Sequence, residues 1–113
     1  MRFTHTSHAL GIETAGGRFC TLLPANRKTP CEARQIFTSD TDNASRFDIN
    51  IYQGASPWVR DNALIGTLAI ADLPRRPRGA LDIEVIFKVS QQQVLSVAVQ
   101  AEGMRKAATL RFT

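Results

Sequence analysis

An all-β domain, a sandwich or barrel of many short strands, is the fold that this 113-residue sequence predicts. Three observations carry the prediction. Apolar residues alternate with polar ones in several runs, the period of a strand with one buried face. Turn-forming residues at Gly16-Gly17, Asn26, Asp42-Asn43, Gly54 and Ala101-Glu102-Gly103 break the chain at short intervals. No segment carries the i, i+3, i+4 stripe of a helix, and there is no internal repeat or low-complexity tract.

In chain order, weaker strand patterns at residues 10 to 14, 18 to 23 and 34 to 38 come first. A clear one follows, in which Phe47, Ile49 and Ile51 alternate with Asp48, Asn50 and Tyr52. The stretch Ala55 to Ala63, with adjacent Pro57 and Trp58, reads as the least ordered part, and its lone tryptophan is expected to pack over the edge of the core. A weak strand at 66 to 70 leads to two clear ones. Ile83, Val85, Phe87 and Val89 alternate with Asp82, Glu84, Ile86 and Lys88, and then Leu95, Val97 and Val99 share one face from Val94 onward. A last weak strand spans 106 to 112, making about eight in all. Gln91-Gln92-Gln93 joins two strands without a glycine to supply positive φ, so a longer or differently shaped turn is expected there.

Size and composition narrow the function. The chain is long enough for one core, so residues 1–113 are expected to form a single domain, with 1–8 as a flexible N-terminal arm and 9–113 as the folded body. No run approaches the ~20 apolar residues of a membrane span, and Met1 to His8 lacks the apolar stretch of a signal peptide, so a cytoplasmic location is expected. Cys20 and Cys31 form neither a disulfide framework nor a Cys-x-x-Cys unit, which suggests two reduced thiols; His5 and His8 have no further ligand nearby in sequence, so no metal site is expected. The net charge of +4 and the run Pro74-Arg75-Arg76-Pro77-Arg78-Gly79 invite a nucleic-acid reading. Scattered basic residues elsewhere and few aromatics available for stacking argue against it. No nucleophile motif, phosphate-cradling glycine loop or certified carboxylate pair is present, so the chain is read as a binder and not an enzyme. From periodicity alone, Ile12, Phe37, Phe47, Ile49 and Ile83 are core residues.

Leu10-Gly11-Ile12-Glu13-Thr14-Ala15-Gly16-Gly17 is a short apolar strand entering a paired-glycine turn. It is followed in order by Asn26, Pro30, Gln35-Ile36-Phe37, Asp42-Asn43, Gln53-Gly54, Asp61-Asn62, Leu64-Ile65-Gly66, Pro77-Arg78-Gly79 and Ile83-Glu84-Val85-x-Phe87. The series, over roughly residues 8 to 112, resembles the substrate-binding (peptide-binding) β domain of the seventy-kilodalton heat-shock chaperones, the DnaK type. That resemblance implies a sandwich of two antiparallel sheets. It also implies a chaperone domain that binds extended hydrophobic peptides or unfolded proteins, with Ile12, Phe37, Phe47, Ile49 and Ile83 lining a pocket for one aliphatic side chain. Thr14, Ala15, Thr38, Asp40 and Ala44 would stand on the flanking loops, Glu13 to Arg18 and Thr38 to Arg46, whose backbone groups bond the peptide main chain.

The sequence also departs from the family's pattern. Phe47 stands where a smaller aliphatic residue is usual, Arg18 where an aliphatic one is common, and Asp40 at an otherwise apolar arch. Asp42 and Arg78 match positions that help latch a helical lid, and with no lid in the sequence they are expected to lack a partner in the chain. The 113 residues have room for neither a nucleotide-binding module nor a lid, so no cofactor is expected and ATP would enter only through a separate or missing ATPase domain. The implied activity is weak, passive holding of unfolded segments. The alternative is a degenerate scaffold, plugged by Phe47, that acts through self-association in the channel or through a protein partner.

Overall fold

The computed structural model describes Thr6 and residues 8–111. The described residues form eight strands: β1 (Leu10–Thr14), β2 (Arg18–Leu23), β3 (Cys31–Thr38), β4 (Phe47–Gln53), β5 (Ala63–Ile70), β6 (Asp82–Val89), β7 (Val94–Ala101) and β8 (Met104–Arg111). They form two four-stranded antiparallel sheets, ordered β2-β1-β4-β5 and β3-β6-β7-β8. The predicted two-sheet sandwich is the observed fold.

The alternation seen in the sequence places the core between the sheets. Ile83, Val85, Phe87 and Val89 on β6 and Leu95, Val97 and Val99 on β7 are buried, and Val85↔Val99, Phe87↔Val97 and Val89↔Leu95 are cross-strand partners. Leu10, Ile12, Ile49 and Ile51 meet them from the other sheet in one continuous cluster. Gly11 lies at a shift in the β1–β2 register, and a Cβ there would drive into the Cys20 carbonyl oxygen, so no side chain is tolerated.

Several connections differ from expectation. Ala55 to Ala63 is closely bonded. Ser56 N–H donates to Asn62 Oδ1 at 3.1 Å, Asn62 Nδ2 returns to the Ser56 carbonyl at 2.9 Å, and the Trp58 N–H donates to Ser56 Oγ at 3.0 Å. Between β6 and β7 the Gln93 N–H donates to the Ser90 carbonyl at 3.0 Å, and Gln93 itself takes φ 62°. The connection takes four residues, Ser90 to Gln93, longer than a two-residue hairpin as expected; what differs is that a glutamine supplies the positive φ that a glycine would have met more readily. Of the expected arm, residues 1–5 and 7 lie outside the described residues. Thr6 is fully buried, with its N–H donating to the Arg27 carbonyl and its Oγ1 to the Pro24 carbonyl, each at 2.9 Å. Among the described residues no helix is long and apolar enough to cross a membrane.

Candidate functional site

Strands β1 and β4 pair only from Leu10↔Gln53 to Ile12↔Ile51. Beyond that point β1 continues against β2 as far as Thr14↔Arg18, while the near end of β4 stays with β5 as far as Phe47↔Ile70. The first sheet therefore splits at one end. Glu13-Thr14 and Phe47 to Asn50 border the split outside the β1–β4 ladder, and the Asn50 Nδ2 to Glu13 Oε1 hydrogen bond, 3.1 Å, crosses it. Backbone donors and acceptors along such a gap need partners, and an extended chain can provide them.

The predicted floor residues come together beneath this end. Ile12, Ile49 and Ile83 are 3%, 8% and 2% exposed, and Phe37 and Phe47 are half-buried against the same cluster. Phe37 pairs directly with Ile83 across β3 and β6. The predicted rim residues lie on the adjoining loops: Thr14 and Ala44 are half-buried, while Ala15, Thr38 and Asp40 are exposed.

Each rim loop is braced from outside by a second loop. The β1–β2 turn reverses through Gly16 and Gly17 at φ 81° and 74°, a conformation open to glycine at little cost. It is tied to the 54–62 connection by the Val59 N–H to Gly17 carbonyl bond, 3.0 Å, and the Phe19 N–H to Pro57 carbonyl bond, 2.8 Å. The Arg18 and Arg60 guanidinium groups each lie 5.4 Å from the centre of the Trp58 ring. Arg18 is thus engaged with Trp58.

The β3–β4 loop is braced in the same way by the arginine-rich connection. The Arg78 N–H donates to Asp42 Oδ1 at 2.7 Å, the Asn43 N–H to the Arg76 carbonyl at 2.8 Å, and the Leu73 N–H to the Ser45 carbonyl at 3.1 Å. The Gly79 N–H reaches both the Ser39 carbonyl, 2.8 Å, and Ser39 Oγ, 3.1 Å. Asp42 and Arg78, expected to lack partners in the chain, partner each other, because the side chain of one meets the backbone of the other. Arg76 also lies 3.8 Å from Glu102 Oε2. Sequence reasoning missed Ser39, buried at 3%, and the Ser56–Asn62 pair. Both act through backbone bonds that leave no period in the sequence; the one cue was Gly54, where a Cβ would collide with the Asn62 side chain.

Comparison with known proteins gives the family. Residues 4–113 match the sequence model of the family described as Hsp70 protein. The chain belongs to the Hsp70 family. Among curated Hsp70 relatives, Heat shock cognate 70 kDa protein 3 of Dictyostelium discoideum is 35% identical over 105 residues, covering 93% of this chain and 17% of the relative's length. The Hsp70-family chain therefore spans about a sixth of that relative. Cys20 and Cys31 are free thiols, and among the described residues no group of three or more His, Cys, Asp or Glu side chains is placed to hold a metal ion.

Proposed function

We propose that this chain is the peptide-binding β domain of an Hsp70-type chaperone and that it holds an extended apolar segment of an unfolded protein in the split between β1 and β4. The observation that carries the reading is the loss of β1–β4 pairing beyond Ile12↔Ile51, directly above an aliphatic floor and between two braced loops. Main-chain hydrogen bonds along Glu13 to Ala15 and Thr38 to Ala44 would be indifferent to sequence, while the floor selects one aliphatic side chain. Folded proteins hide both features, so the site discriminates in favour of unfolded chains. Such preferential binding needs no nucleotide. Coupling to ATP belongs in this reading to a separate ATPase domain, and the setting is the cytoplasm.

Phe47 limits how deeply a ligand side chain enters. Burying a leucine contributes ~1.5–3 kcal/mol, so restoring that depth with Phe47→Val is expected to tighten binding roughly ten- to a hundredfold at ~1.4 kcal/mol per decade. A fluorescent leucine-rich heptapeptide, titrated with the chain and with this variant, tests the proposal by anisotropy. No change up to millimolar protein in both would sink it. The packing of Phe47 against the core favours one rival, a plugged scaffold that works through a protein partner, and that rival predicts silence from the unaltered chain.

A further inference from the structure

The four edges of the two sheets are not equally guarded. An open strand edge offers unpaired N–H and C=O groups to any other chain, and proteins normally cover, bend or charge it. The β2 edge is covered where Trp58 bridges Arg18 and the Pro57 carbonyl accepts from Phe19. Strands β5 and β8 lean together, with Leu110 so close to Gly66 that a Cβ there would lie 2.8 Å from Leu110 Cδ1; β8 also carries exposed Arg105 and Lys106.

Strand β3 is guarded less: β2 touches it through the Cys20 to Gln35 side-chain contact, 3.8 Å, and it carries one exposed charge of each sign, but no backbone group is paired on its outer side among the described strands. All eight of its residues pair in unbroken register with β6, from Cys31↔Val89 to Thr38↔Asp82, and among the described residues no strand lies on its other side. It contains neither lysine nor proline, and Ile36 on it is 59% exposed. Its charges are Glu32 and Arg34, two residues apart on one face and 2.9 Å from each other. That spacing is self-complementary. In an antiparallel pair of two β3 strands with the two-fold axis at Ala33, Glu32 of each copy faces Arg34 of the other, and Ile36 faces Pro30. Moving the axis to Arg34 sets like charges opposite each other, which is unfavourable, and moving it to Gln35 sets Arg34 against Ile36.

We propose that a second copy of this chain adds to the open edge of β3 in antiparallel register about Ala33, joining two β3-β6-β7-β8 sheets into one continuous sheet. The contact is isologous, so it closes at a dimer. The pairing centres on Ala33, away from the β1–β4 split, and reaches the proposed peptide site only at the Phe37–Thr38 end of β3.

Sedimentation equilibrium of the full chain tests this. An interface this small is at the weak end of specific contacts, so dimerisation is expected between about 10 µM and 1 mM. Arg34→Glu should weaken association at least tenfold, Ile36→Lys should also weaken it, and Glu32→Arg combined with Arg34→Glu should restore it, all with unchanged circular dichroism. A monomer throughout that range overturns the proposal, as does a dimer insensitive to Arg34→Glu. Failure of the charge swap to restore association overturns it too. A dimer dispersed by the leucine-rich heptapeptide would place the partner in the split, and that also rejects the β3 edge.

Discussion

The two sheets use their backbone groups differently. In β3-β6-β7-β8 the three pairings run without a register shift, and the inward residues of β6 and β7 are almost wholly buried. In β2-β1-β4-β5 the register shifts at Leu10/Gly11 and again at Ile51/Tyr52, and β1 and β4 part after three rungs, Leu10↔Gln53 to Ile12↔Ile51. Loops supply the missing order there, through bonds to Asp42, Ser39 and Gly17. A sandwich with one regular, well-packed sheet can leave part of the other unpaired without losing its core. The unpaired part is where a ligand strand would fit.

If stability resides mainly in the regular sheet, the largest effect comes from Phe87. Its side chain is fully buried on β6, so Phe87→Ala should destabilise the fold by about 3–5 kcal/mol, a large share of the ~5–15 kcal/mol typical of a domain. Urea denaturation measures it, and a loss below about 1 kcal/mol would break the comparison. Asp42→Ala should behave in the opposite way. It removes one exposed hydrogen bond to the Arg78 N–H, so the cost to stability should stay under about 1 kcal/mol after allowing for solvent. The unbraced β3–β4 loop should nonetheless lower heptapeptide affinity severalfold. If the Asp42→Ala variant lost as much stability as Phe87→Ala, the loop would be part of the framework and the division of labour would fail.

The same division explains what the sequence made legible. Strands β1 and β2 have the predicted bounds, and β6 and β7 were plain, because burial of one face imposes a period of two. Strand β3 begins at Cys31, three residues before the expected start, because Cys31 to Ala33 gain order from pairing with Val89 to Phe87. Strand β5 begins at Ala63, where Leu64, 56% exposed, defeats the alternation rule. The floor residues of the candidate site were identifiable by resemblance, yet periodicity read them simply as core, and both descriptions fit buried Ile12, Ile49 and Ile83. The braces were invisible. Bonds such as Gly79 to Ser39 and Val59 to Gly17 join main-chain groups that are distant in sequence, so residue type alone carries almost no trace of them.

The smallest expected effect lies on the side of the sandwich where β2 and β3 face each other, with one thiol on each sheet. Burial pushes the Cys20 thiol up, partly offset by its contact with Gln35 Oε1 at 3.8 Å, and burial likewise raises Cys31, partly offset by the charge of Arg27. A thiol whose pKa is higher in the fold than in the unfolded chain contributes stability that is complete below the unfolded value, about 8.5, and is lost as pH rises through the folded value. Because both groups are half-buried, the loss of stability above pH 9 should be slight. Reactivity is the sharper readout, since the thiolate is the nucleophile. At pH 8, iodoacetamide should alkylate native Cys31 in Cys20→Ser, and native Cys20 in Cys31→Ser, several times more slowly than the same chains in urea. Native rates equal to the unfolded ones for Cys31 alone would show that the β3 end of the regular sheet frays, confining its stability to the inner strands β6 and β7.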